Sequence, residues 1–308
     1  MAAAGFSVTD AALTGFRIVW ERPLAVVYWA GLQFAASLAS TTFITLSAGQ
    51  QFAKAAEASL QFSLDPTPML ARLEALAPTY AVLLIGVLVL QAVVSAAMNR
   101  AVLRPEESRF GYLRLAADEL RQLGLFALIL LFGALLYLGV VLVAGVIFAL
   151  LGFAGGDTGL ALAFLILIPL LVVVFVFAAV RFSLAPAMTF ATRKIDLLGS
   201  WRLTRGRFWA LLWTYLLAFV LDLVVWALTL AIAMFATAIL GGGFASLGQG
   251  VDADLSTLAT AFTPASVLFM AITAIGSALR LPLMVTPPAS VYRALTGGAA
   301  VGVGRVFD

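Results

Sequence analysis

Six blocks of almost uninterrupted apolar residues alternate along the chain with polar connections, and each block is long enough to cross about 30 Å of hydrocarbon. They run near Pro23 to Leu46, Ala77 to Met98, Gly124 to Leu151, Gly159 to Val180, Phe208 to Leu240 and Pro264 to Val285. Such blocks exceed what a buried strand or soluble core helix requires, so lipid is the solvent their surfaces meet. The pattern predicts an all-α polytopic membrane protein: six transmembrane helices arranged as three hairpins, each preceded by a cytoplasmic interfacial helix. The third and fifth blocks are longer than the minimum and are expected to tilt or to project beyond the hydrocarbon.

The connections carry most of the orientation signal. Arg100, Arg104, Arg109, Arg114 and Arg121 follow the second block, and Arg193, Lys194, Arg202, Arg205 and Arg207 follow the fourth. Arg17 and Arg22 precede the first block, and Arg293 and Arg305 follow the last. The alternate connections hold only Lys54 and Arg72 against Glu57, Asp65, Glu74, Asp157, Asp252 and Asp254. The positive-inside rule therefore predicts both termini in the cytoplasm. In the outer connections, Thr67 with Pro68 reads as the start of a short interfacial helix carrying Met69, Leu70, Leu73 and Leu76, Thr263 with Pro264 as the cap that opens the sixth span, Asp252 to Ala261 as another short helix, and Gly241 to Gly243 as a helix end. Asp252 and Asp254 are too few ligands for calcium and fit a helix N-terminus.

Composition narrows the chemistry. Of 308 residues 63% are hydrophobic and 11% charged, and the formal net charge is +3. There is no cysteine and no histidine, which removes disulfides, thiolate metal sites, Ser-His-Asp hydrolysis and His-based proton transfer. The glycine runs lack the Lys and Ser or Thr of a phosphate-binding loop. The expectation is a non-enzymatic protein with no cofactor and no metal.

An internal repeat surrounds the arginines. Phe16-Arg17-Ile18, Leu113-Arg114-Leu115 and Trp201-Arg202-Leu203 precede the odd-numbered blocks. Arg100 to Pro105, Arg181 to Pro186 and, with its proline displaced, Arg280 to Leu283 close the even-numbered ones. The single membrane domain, 1–308, thus reads as units 7–105, 106–194 and 195–296 with a tail at 297–308. In the second unit Phe110, Leu113, Ala117 and Leu120 share one helical face while Arg114, Asp118 and Arg121 line another, which predicts an amphipathic surface helix. In the first, Ser7 and Asp10 form a capping-box-like start, with Phe16, Val19 and Trp20 toward lipid and Arg17 wet.

Arg181 to Pro186, Gly199 to Trp209 (GSWRLTRGRFW) and Pro287 to Leu295 (PPASVYRAL) resemble the six-helix membrane domain of bacterial glycerophosphodiester phosphodiesterases and related uncharacterised membrane proteins. In that family catalysis belongs to a separate soluble domain with histidine and metal-binding carboxylates, so the resemblance implies a multi-pass module of a bacterial inner (cytoplasmic) membrane without the enzymatic half.

Two sets of residues are candidates for function. Arg17, Arg100, Arg114, Arg181, Arg202 and Arg280 suit lipid headgroups, because a planar donor fork matches phosphate oxygens; around a pseudo-threefold axis they are expected to form a basic collar. Topology alone is the competing explanation for them. Gln91 and Asp222 are the intramembrane polar candidates, with Thr214 a possible hydrogen-bond partner. Asp222 lies about 21 Å into the fifth block, and carrying a proton, coordinating a cation, pairing with a cation or serving as a neutral structural acid all remain open to it. The repeat places Arg280 near the cytoplasmic boundary, about 10 Å from Asp222 along the axis, where snorkelling explains it. Pro169, Pro282, Pro287 and Pro288 mark possible breaks.

Three functions follow: a module that binds anionic lipids as a scaffold or accessory in envelope or lipid homeostasis, a transporter or lipid translocator using Asp222, or a subunit or assembly factor of a larger membrane complex with protein partners. Arginines beside interfacial aromatics favour anionic headgroups over nucleic acid.

Overall fold

The computed structural model describes residues 6–59, 67–240 and 255–297, and every regular element among them is helical. A short α1 (Val8–Glu21) precedes α2 (Pro23–Ser59) and α3 (Thr67–Leu103). A 3-10 turn at Arg109–Tyr112 leads to α4 (Ala117–Phe182), then to the short α5 (Ala185–Thr192) and α6 (Leu197–Leu203). After these come α7 (Phe208–Leu240), the single-turn α8 (Leu258–Ala261) and α9 (Pro264–Leu295). Six segments, in α2, α3, both halves of α4, α7 and α9, are long and apolar enough to cross a membrane. The chain is a multi-pass, all-α membrane protein.

Helical backbone runs through all 66 residues of α4, which as a straight rod would hold Phe132 and Phe182 about 75 Å apart. Their ring centroids are 5.1 Å apart. The helix therefore doubles back between them, and its two arms are the third and fourth spans. The connection expected at 152–158 falls inside this stretch, where the side chains of 151–164 lie outside the described residues.

Residue size is sorted inside out. Large aliphatic residues on the arms of α4, among them Leu131, Leu135, Leu142 and Val173, face outward, an arrangement that water would penalise and lipid solvates. Small residues meet within: Ala92, Ala96, Ala97, Ala278 and Ala289 are buried, which lets helix backbones approach where lipid supplies no hydrophobic drive between them. α9 is the hub and packs against α1, α2, α3, α5 and α7.

The densest packing lies at the end that carries the arginines. There Trp29, Met98, Tyr112, Phe190 and Tyr292 form one buried cluster, with Val180, Leu184, Leu211 and Val291 in a second. α1 covers α9 through Ala11, Ala12, Thr14, Gly15 and Ile18. A Cβ on Gly15 would stand 2.6 Å from the Pro282 carbonyl carbon, so only glycine permits this approach. Gly15→Val is expected to lift α1 from α9 at a cost of about 1–3 kcal/mol, read as faster tryptic cleavage at Arg17 and a lower unfolding temperature in detergent. Cleavage and stability equal to the parent protein would show that α1 is not anchored there.

Several expected boundaries shift. The predicted starts at Thr67 and Thr263 open α3 and α9, and the Thr263 hydroxyl accepts from the Ser266 amide at 3.2 Å. The separate interfacial helix expected from Thr67 is a correction, since α3 runs from there to Leu103 as one helix with the second span; of the short helix expected over Asp252 to Ala261, only Leu258–Ala261 is helical among the described residues. The Ser7 hydroxyl accepts from the Asp10 amide at 3.3 Å, as the capping pattern predicts. The turn before Thr67 and residues 241–254, including Gly241 to Gly243, Asp252 and Asp254, lie outside the described residues. The second interfacial helix is a correction: residues 113–116 are not helical, and the helix from Ala117 is already the third span. Its apolar periodicity is overridden by Phe110, Gly111 and Tyr112, whose φ angles of 50°, 62° and 66° break any helix there. Nor do Pro282, Pro287 and Pro288 end the sixth helix, which continues to Leu295 under the cover of α1 and α3.

Candidate functional site

Arg104-Pro105 ends α3, since proline offers no amide to prolong the helix, and the chain must then return through residues 104–116. Gly111 crosses α2 so tightly that a Cβ would lie 3.1 Å from the Ala25 Cα. The Trp29 indole donates to the Gly111 carbonyl at 2.8 Å, and the Tyr112 hydroxyl donates to the Pro105 carbonyl at 3.2 Å. Arg100 supplies the central post. Only 1% exposed, it donates to the Tyr112 carbonyl, and its Nη2 meets Glu119 Oε1 at 2.8 Å. Glu119, 5% exposed, also accepts from the Ala116 amide at 3.0 Å, which starts α4.

Around this post the charges interlock. Asp118 lies 3.4 Å from Arg104 and 2.8 Å from Arg121, Glu107 lies 2.9 Å from Arg114, and the Phe190 ring carries Arg104 at 4.6 Å and Arg100 at 5.5 Å. Arg293 at the end of α9 donates to the Val102 carbonyl at 2.9 Å, closing one of the orphan acceptors at the C-terminus of α3.

The six arginines proposed for headgroups therefore have unlike surroundings, and the collar is corrected. Arg100 is buried on Glu119 and faces no lipid. Arg280 grips Asp222 with both prongs, Nε to Oδ1 at 2.9 Å and Nη2 to Oδ2 at 2.7 Å. The repeat misplaced Arg280 because α9 extends fifteen residues beyond it; mid-helix, it lies level with Asp222, and no snorkelling is required. Arg114 is paired with Glu107. Arg202 has a 77% exposed side chain with Asp196 at 3.5 Å. Arg17 is exposed and, among the described residues, has no carboxylate within 4.0 Å.

Arg181 differs from all of these. Its guanidinium carbon sits over the rings of Phe177 at 5.0 Å and Trp201 at 5.1 Å. Its Nε and Nη1 are shielded and have no acceptor among the described residues, where no carboxylate comes within 4.0 Å. Its carbonyl is fixed by the Ser200 hydroxyl at 2.8 Å, tying α6 to the end of α4. An aromatic chain continues from Trp201 through Phe177 and Phe208 to the exposed Trp209.

Of the intramembrane candidates, Asp222 is buried and bound as above. Thr214 donates to the Ala210 carbonyl of its own helix at 2.8 Å, and Gln91 is half-buried on α3. Sequence reasoning missed Glu107 and Glu119, and it placed Asp118 on a polar helix face without its pairing to Arg104 and Arg121. Four acids, Glu106, Glu107, Asp118 and Glu119, among five arginines in one connection were the available signal, obscured by weighing mainly the cations.

A polar recess of about 530 Å³ opens between α1 and the end of α9. An apolar cleft of about 300 Å³ lies between α3 and the start of α4, lined by Val89, Val93 and Leu123. Neither is lined by Asp222. Fold and charged end together define a multi-pass membrane protein with a tightly packed basic end. No protein-family model matches the chain, and no curated protein or solved structure matches it.

Proposed function

We propose that this chain is a non-enzymatic module of a bacterial inner membrane that holds anionic lipids at its basic, cytoplasmic end and acts as a scaffold or accessory in envelope or lipid homeostasis. Arg181 carries the reading. Arg181 is half-buried, and its Nε and Nη1 are shielded without an acceptor among the described residues, which is costly for a group that stays protonated at any physiological pH. Two aromatic faces offset part of that cost; an inner-leaflet phosphate, reached by a turn of the side chain past Trp201, supplies the missing countercharge. Exposed Arg17 and Arg202 beside Trp20, 89% exposed, and Trp209 add the interfacial aromatics and cations of a membrane-surface belt. The resemblance to phosphodiesterase membrane domains agrees with a lipid-facing module, and the bidentate hold on Asp222 weighs against the transporter reading, which needs that carboxylate free.

Arg181→Gln with Arg202→Gln is expected to lower the anionic phospholipid retained after mild detergent extraction by about half or more, each phosphate-facing cation contributing about 1 kcal/mol. Arg114→Gln, whose cation is already engaged by Glu107, is expected to retain the parent level. Equal retention by all variants, with unchanged unfolding temperatures, would reject the reading. Orientation is tested separately: cysteines at Ser59 and Gln249 are expected to label from outside and those at Ser108 and Ala191 only from the cytoplasm, and reversed labelling would invert the assignment.

A further inference from the structure

We infer that the recess between α1 and α9 is a binding site for a phosphate group bearing a primary ammonium, the headgroup chemistry of an aminophospholipid. Its polar walls are two facing helical stripes. On α1, Asp10, Thr14 and Arg17 recur at i, i+4 and i+7 and so share one face; on α9, Ser290 and Arg293 stand three residues apart. A volume of about 530 Å³ falls in the range of small-molecule sites.

The charges in the recess are of both signs and do not neutralise each other. Arg17, Arg293 and Asp10 all line it, yet among the described residues no cation comes within 4.0 Å of Asp10. Elsewhere at this end Glu107, Asp118, Glu119 and Asp196 each have an arginine within that distance. Solvation alone is a sufficient fate for a lone surface carboxylate. Here, though, the opposite charges are fixed on two helices locked by the Gly15 contact with Pro282 and by the Arg293 bond to Val102. They line the open recess without an ion pair between them. A ligand with an anion at one end and a cation at the other fits between them: phosphate on Arg17 and the free nitrogens of Arg293, ammonium on Asp10.

The hydroxyls leave these charged groups as the reading heads. Thr14 is spent on the Asp10 carbonyl at 2.8 Å and Ser290 on the Pro287 carbonyl at 2.8 Å. With two cations against one anion the recess keeps a net positive charge, so the phosphate dominates attraction and Asp10 sets selectivity. On the adjoining flank of α1, about a quarter-turn round the helix from the recess-lining stripe, Leu13, Phe16 and Trp20 are exposed, which places the site where acyl chains can lie in the apolar layer beside α1 while a headgroup reaches the polar wall.

This site is separate from Arg181 and Arg202, and its test leaves them intact. The delipidated full-length protein is offered phosphatidylethanolamine and phosphatidylglycerol in equal amounts and read by native mass spectrometry; in parallel, soluble O-phosphoethanolamine is used as competitor. The parent protein is expected to prefer the ethanolamine lipid. Asp10→Asn keeps the backbone amide that caps on Ser7 and is expected to reverse that preference by about tenfold, the size of one lost charge-assisted bond. Arg17→Gln is expected to weaken both lipids together. Displacement by O-phosphoethanolamine at matched concentration assigns the site to a free aminophosphate, and its failure to displace assigns it to the lipid headgroup; both support the inference. If Asp10→Asn strengthens both lipids alike, the recess senses only net charge and the inference falls, as it does if the ratio does not move. Neither result touches the anionic-lipid reading, whose own test is carried by Arg181 and Arg202.

Discussion

Arg100→Met is expected to remove most of the folded protein, at a cost of about 3–5 kcal/mol, the usual loss when one member of a buried ion pair is deleted. That is a large share of the 5–15 kcal/mol by which an ordinary folded domain is stable. The substitution leaves Glu119 as a carboxylate 5% exposed with no cation in hydrogen-bond reach. It also takes the donor from the Tyr112 carbonyl and one of the two cations from the Phe190 ring. The turn at 109–112 holds three consecutive residues at positive φ, a conformation that side-chain-bearing residues adopt only when their surroundings compel it. Arg100 is one of the contacts that compel it. Arg100→Lys is expected to recover less than half of the loss, since a single ammonium cannot present two in-plane donors to a carbonyl and a carboxylate at once. Detergent-solubilised unfolding followed by size-exclusion chromatography measures both variants. A midpoint for Arg100→Met within about 1 °C of the parent, a shift worth only a few tenths of a kcal/mol, would mean that the network contributes nothing to the fold.

The Asp222–Arg280 pair is expected to fail asymmetrically. Asp222→Leu strands a cation that cannot shed its proton, whereas Arg280→Met leaves a carboxyl that can become neutral by taking one up. The first is expected to cost about 2–4 kcal/mol and the second roughly half as much. The side chains are 9% and 30% exposed, and α7 and α9 run side by side around them. The double variant Asp222→Leu/Arg280→Met is expected to return most of the stability, because apolar residues of similar volume replace a pair whose desolvation had offset much of its attraction. A double-mutant cycle reads the coupling directly. Losses that simply add would show that the two side chains stabilise the bundle independently, and the interhelical pair would lose its meaning.

The two predictions concern arginines that the repeat treats as equivalents, and the third member, Arg181, behaves differently from both. Arg100, Arg181 and Arg280 occupy matching sequence positions, yet one meets Glu119 on the following span, one meets two aromatic rings, and one meets Asp222 on the preceding span. A local motif specifies a residue type and its distance from a helix end. It does not specify which helix lies opposite. Glu119 was hidden for the same reason: nineteen residues from Arg100 in sequence, it is brought within 2.8 Å only because the turn at 109–112 is pinned to Trp29.

What the sequence determined by itself is what depends on composition along a single helix. Six apolar blocks fixed the number and type of spans, because a backbone in hydrocarbon must satisfy its own hydrogen bonds and a helix does so within one segment. Thr67, Thr263 and Ser7 marked helix starts, because capping is a matter of three or four consecutive residues. The tertiary structure decided everything that required knowing a neighbour. It carried α9 through three prolines to Leu295 under the cover of α1 and α3, turned the expected second surface helix into a strained turn held by Trp29 and Arg100, and sorted six similar arginines into paired, clamped and free. The cause is physical: each guanidinium carries the same charge wherever it stands, and its fate depends on the nearest anion, ring or opening, which only the packing of distant helices supplies.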